Sequence, residues 1–163
     1  MRHISAILIS IILSTAVIYA IVCVQAESEV TIYVDGSGVA TVTLFIEATP
    51  GMNTINLPIE PLEPTVEVVC NNFEVPLLLT DVIQLLHLYV GNACSAVVSY
   101  VANISIEEGV LTINVANAIS TRLVLNSNIV LLTLPQNIAD IYKEDGGLII
   151  TFAGPAEISY TVP

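Results

Sequence analysis

Residues 30–47 read VTIYVDGSGVATVTLFIE, and this stretch decides the fold. Val30, Ile32 and Val34 alternate with Thr31 and Tyr33. Asp35-Gly36-Ser37-Gly38 then supplies turn chemistry, and Ala40, Val42, Leu44 and Ile46 resume the alternation against Thr41, Thr43, Phe45 and Glu47. A strand puts every second side chain on one face, so period-two alternation on both sides of an Asp-Gly turn predicts a β-hairpin.

The same grammar repeats downstream. After the break at Ala48–Gly51 a short strand is expected at Asn53–Leu57, followed by an extended proline-rich connection over Pro58–Pro64. Strands are predicted over Thr65–Cys70 and Phe73–Leu79 around an Asn71-Asn72 turn, with Pro76 marking an edge or an interruption. Asp81–Val90 could be capped as a helix by Asp81 and Gly91, but Val82, Ile83, Tyr89 and Val90 favour a strand. Cys94–Ala102 is a further strand, with Ala96, Val98 and Tyr100 on one face. Ile104–Ile106 and Val110–Val115 flank Glu107-Glu108-Gly109 as a second hairpin. Arg122–Leu125 and Ile129–Leu134 flank Asn126-Ser127-Asn128 as a third. Pro135–Tyr142 is expected to hold one helical turn and 143–147 a loop, before strands at Leu148–Phe152 and Glu157–Val162. About a dozen short strands with regular turn signals indicate an all-β, antiparallel sandwich or barrel, and the sandwich is the expected fold.

In front of this body stands Ile4–Val24, a 21-residue run without charge, preceded by Arg2. A basic start, an apolar middle and the small-residue exit Val24-Gln25-Ala26 make a secretory signal peptide cut after Ala26. The run is also long enough to span a bilayer as an uncleaved signal anchor, with its C-terminal end outside. Either way residues 1–26 direct export and residues 27–163 form one extracellular or cell-surface domain. The membrane is touched only through residues 4–24, and only if they stay attached.

Composition narrows the function. After Ala26 the only strong bases are Arg122 and Lys143, against 15 acidic residues. Nucleic acid binding requires neutralising phosphates with Lys and Arg, so two bases nearly exclude that class, and anionic lipid headgroups are disfavoured on the same ground. Hydrophobic residues make up 55% of the chain, which sets it apart from a disordered acidic tail. The acidity fits ordinary anionic solubility or an acidic medium in which most carboxylates are protonated. Cys70 and Cys94 remain after the leader and are expected to form a disulfide in an exported chain. Asn103-Ile104-Ser105 is an N-glycosylation acceptor.

No catalytic pattern emerges. His87 is the only histidine outside the leader and reads as a satisfied core or edge residue. Ser95, Ser99 and Asp81 lack a nucleophile elbow, and Gly36-Ser37-Gly38 lacks its spacing. The carboxylate pairs Glu60/Glu63 and Glu107/Glu108 lie in a connection and a turn, where acids are usually just solvated. Zinc would need soft ligands that are not present together, and calcium at Asp35 or Asp145 competes with plain turn chemistry. No cofactor or metal is therefore expected. The chain has no Trp, which weakens a sugar-binding role.

The Val/Ile/Thr-rich alternating strands, the scarcity of Lys and Arg, and the closing run 146–162, GGLIITFAGPAEISYTV, resemble extracytoplasmic β-sandwich domains of cell-surface proteins from hyperthermophilic archaea. The resemblance implies an Ig-like fold on the outer face of the membrane and carries over no active-site residue. The expected role is non-enzymatic: adhesion, envelope structure or contact with other surface proteins or copies of itself. The alternatives are a filament subunit whose strand at Glu27–Val34 completes a neighbour's sheet, and a secreted hydrolase or ligand carrier.

Overall fold

The structure is a computed structural model that describes residues 29–79, 84–116 and 120–163. The leader, including Ile4–Val24, and the Asp81–Ile83 start of the ambiguous strand lie outside the described residues.

Among the described residues fifteen strands follow in order. They are β1 (Val30–Val34), β2 (Ala40–Ala48), β3 (Gly51–Asn56), β4 (Glu67–Cys70), β5 (Phe73–Glu74), β6 (Leu77–Leu79), β7 (Leu85–Val90) and β8 (Cys94–Val101). The second half adds β9 (Ser105–Glu107), β10 (Val110–Val115), β11 (Ser120–Leu125), β12 (Val130–Leu131), β13 (Ile138–Glu144), β14 (Gly147–Ala153) and β15 (Ala156–Thr161). One 3-10 turn, Glu63–Thr65, interrupts the proline-rich connection.

An eight-stranded sheet runs β13-β14-β11-β1-β2-β8-β4-β5. A four-stranded sheet, β12-β15-β10-β9, and a three-stranded sheet, β3-β7-β6, complete the fold. Side chains from all three sheets meet in a single core: Ile32, Leu44 and Leu123 from the large sheet, Leu86 and Leu88 from the three-stranded sheet, Ile113 and Ile158 from the four-stranded sheet. The sandwich expected from the alternating pattern is therefore present, because each sheet has one apolar face that only another sheet can cover.

The opening hairpin is as read: Val30 faces Leu44 and Val34 faces Ala40, and every second residue from Val30 to Leu44 outside the turn is buried. Asp35 organises its turn, its Oδ1 accepting from Ser37 N at 2.8 Å, Ser37 Oγ at 2.7 Å and Val39 N at 3.1 Å. Gly38 sits at φ 87°, and a Cβ there would come within 2.8 Å of Val162 Cγ2. That bare backbone lets the buried Tyr160 hydroxyl donate to the Gly38 carbonyl at 2.8 Å. Burial, with a smaller contribution from Asp35, pushes the Tyr160 phenol up to about 12.

Three other turns use two central residues with positive φ: Asn71-Asn72, Glu108-Gly109 and Asp145-Gly146. This geometry matches the natural strand twist and is tolerated by Asn, Asp and Gly.

Three features differ from expectation. Asn126-Ser127-Asn128 does not close a hairpin. Both edges of β11 are taken, by β1 and β14, so β12 crosses to the other layer and pairs with β15. No helical turn forms over 135–142; instead β13 returns along β14 through the Asp145-Gly146 turn. Phe73–Leu79 breaks at Val75-Pro76 into two strands in different sheets, as Pro76 predicted. Finally, the sheets are not wholly antiparallel: β1 and β11 run parallel, with Val30 opposite Thr121 and Val34 opposite Leu125. The filament reading concerns this same N-terminal strand, which here fills the gap between β2 and β11 of its own chain.

Candidate functional site

The sequence-derived candidates do not converge. His87 lies on the outward side of β7, its Nδ1 2.9 Å from Thr54 Oγ1 on β3. Ser95 Oγ donates to Glu47 Oε1 at 2.7 Å on the outer face of the large sheet. Glu60 accepts from Asn103 Nδ2 at 3.0 Å, while its expected partner Glu63 opens the 3-10 turn. Glu107 and Glu108 line a polar hollow of about 480 Å³ on the four-stranded sheet, with Glu157, Ser105 and Ser159. Asp145 occupies a tight turn. Among the described residues no three His, Cys, Asp or Glu side chains gather closely enough to hold a metal ion.

Asp35 has a consequence for acid stability. The hydrogen bond from the Ser37 hydroxyl, joined by backbone N–H groups, holds its carboxyl below the ordinary value of 3.8. A depressed carboxyl contributes stability above the unfolded value, and loses it as pH falls through the folded one. The stability difference between the native chain and Asp35→Ala should therefore shrink steadily as pH drops below about 3.8, read by thermal melts across acid pH. A difference independent of pH would show that the carboxylate charge plays no part.

The predicted cysteine pair is joined. Cys70 at the end of β4 bonds to Cys94 at the start of β8, with Cα atoms 5.9 Å apart. Beside this staple lies an exposed apolar surface. The disulfide ties the Asn71-Asn72 turn and β5 down beside the end of β7, leaving an open, mainly apolar groove of about 330 Å³. Cys70, Phe73, Val75, Pro76, Tyr89 and Val90 provide its apolar lining, with Asn71, Glu74 and Asn92 at the polar margin. Phe73 is 76% exposed and Tyr89 63% exposed. Met52, opposite Tyr89 in the β3–β7 ladder, is 68% exposed.

Sequence reasoning did not find this groove. Its two walls come from residues 70–76 and 89–92, and only the pairing of β4 with β8 and the disulfide bring them together. The available signal was Tyr89, an aromatic residue that alternates with the core residues Leu88 and Val90.

No family model matches the chain, and no curated protein does. Solved structures with a similar chain path include a mutant of a two-domain M1 zinc metallopeptidase bound to L-tryptophan, with TM-score 0.48 and 9% identity, covering 82% of this chain and 41% of that one. An M1 zinc metallopeptidase from Deinococcus radiodurans gives TM-score 0.44 and 12% identity, covering 82% of this chain and 40% of its own. The chain thus spans about two fifths of the length of these proteins. At such scores the likeness carries no argument about what this chain does.

Among the described residues no helix is long and apolar enough to cross a membrane.

Proposed function

We propose that this chain is a non-enzymatic β-sandwich of the cell surface, secreted or held by residues 4–24, that works by binding another surface protein or a further copy of itself. The observation that carries the reading is the groove beside the disulfide, where Phe73 and Tyr89 stand exposed, with Met52 exposed opposite Tyr89 on β3. Aromatic side chains and Met are enriched at protein contacts, because they offer large apolar area at low cost in conformational entropy. Export is supported by the leader and by the cysteine pair, which persists in an oxidising compartment.

The test uses the full chain in its native cell. Protease added to intact cells should remove it, and chemical cross-linking should capture one discrete partner or a dimer. The double change Phe73→Ser and Tyr89→Ser should leave the melting temperature within a few degrees, since both side chains are exposed, and should abolish the cross-link. A chain protected from protease inside the cell would overturn the reading, as would a cross-link unaffected by the double change. Long polymers in light scattering, at neutral pH or at about pH 3 where most carboxylates are protonated, would instead favour the strand-exchange filament.

A further inference from the structure

The four-stranded sheet ends at β9, and no described strand pairs with the outer edge of β9. All three of its residues are exposed, and Ile106, opposite Leu111, is 71% exposed. An open edge with an exposed apolar side chain is a template for pairing with another chain, and natural sheets cover or blunt such edges. Short strands, charged side chains, proline and a covering element are the usual devices; β9 is short and ends in Glu107, but it has no proline or lysine and its apolar Ile106 stays open.

The acceptor triplet Asn103-Ile104-Ser105 leads directly into this strand. Asn103 is exposed, and its main chain is fixed by donation from its N–H to the Glu60 carbonyl at 2.8 Å. We propose that Asn103 carries an N-linked glycan, and that this glycan covers the free edge of the four-stranded sheet at β9. The proposal rests on the reading that the chain is exported.

The chemistry is a group transfer from a lipid-linked oligosaccharide phosphate. Asn103 Nδ2 forms a bond to the anomeric carbon of the first sugar, and the bond from that carbon to the lipid phosphate oxygen breaks. The phosphate leaves with the bonding pair, and the amide gives up one proton. One N–H stays on Nδ2, so Asn103 keeps a donor from which Glu60 Oε1, 3.0 Å away in the unmodified chain, can accept. The Glu60 contact joins positions 43 residues apart and forms only on folding, so transfer to the unfolded chain and the folded geometry are compatible. Placed two residues before β9, the sugar chain lies over the edge that would otherwise recruit a second sheet.

The test compares the full chain from its native cell with Asn103→Gln, Ser105→Ala and Ser105→Thr. Ser105→Ala removes the acceptor triplet and leaves the Asn103–Glu60 contact intact, while Ser105→Thr keeps the triplet. Mass spectrometry of the peptide containing Asn103 should show an added oligosaccharide in the native chain and Ser105→Thr, and none in the other two. Light scattering should show a several-fold rise in dimers and larger species for Asn103→Gln and Ser105→Ala, reversed by adding Ile106→Lys. A chain recovered at the cell surface with unmodified Asn103 would overturn the proposal while leaving the export reading intact. A chain held inside the cell would overturn the export reading itself. Glycosylated protein whose two unglycosylated variants associate no more than the native chain would refute the edge-covering role.

Discussion

Replacing both Cys70 and Cys94 by alanine is expected to destabilise the domain by about 3 kcal/mol, because the bond closes a loop of about 25 residues and limits the unfolded chain. For a domain of this size that corresponds to a melting temperature lower by roughly 10 °C. The same shift should follow when the native chain is melted in reductant, and the double variant should be indifferent to reductant. The effect reaches beyond stability, since the bond anchors β4 to β8 and with it the turn that carries Phe73. Partner capture should therefore weaken under reduction even at temperatures where the core remains folded. A native chain whose melting point ignores reductant, with both thiols then titrating as free, would refute this account of the groove.

The second large effect is expected at Ile32. It is fully buried at the middle of β1, between Val42 on β2 and Leu123 on β11. Ile32→Ala should cost about 2–5 kcal/mol, the sum of lost transfer energy and the cavity left in a closely packed interior. That is a large part of the 5–15 kcal/mol that usually separates folded from unfolded chains. Thr31→Ala, on the outer face of the same strand, should cost much less. Urea unfolding measures both. Because β1 is paired with strands of its own chain, the urea midpoint of the Phe73→Ser/Tyr89→Ser variant, which lacks the groove contact, should not change with protein concentration. A midpoint that rises with concentration would mean that the strand is supplied by another copy.

Much of this was legible in the residues, and the exceptions have physical reasons. Where pairing is local, alternation and turn chemistry suffice: Asp35–Gly38 and Glu108-Gly109 each close the hairpin that the flanking strands announce. Cys70 and Cys94 paired as their number and the expected compartment required. Where pairing is long-range, local grammar misleads. Asn126-Ser127-Asn128 has the composition of a hairpin turn, but whether β11 has a free edge depends on β1, far back in the chain. Ile138–Glu144 gave no strand signal because an edge strand with most residues exposed loses the buried-exposed rhythm. The groove was invisible for a related reason. Phe73 and Tyr89 meet through sheet neighbours and a covalent bond, and no periodicity encodes that meeting.

The parallel alliance of β1 and β11 also sets a timetable. Chains are made from the N-terminus, so β1 and β2 exist long before β11 does. They form a two-stranded hairpin, which in water is marginal by itself. The second hydrogen-bonding edge of β1 must then wait until Thr121–Leu125 arrives to pair with it. Closing so large a loop before it yields any contact slows the search for the native state. Strand β1 is thus partnered early on one edge and only much later on the other. Anything that holds the young chain extended, or that occupies the vacant side of β1 for a time, would govern how much of it reaches the folded state.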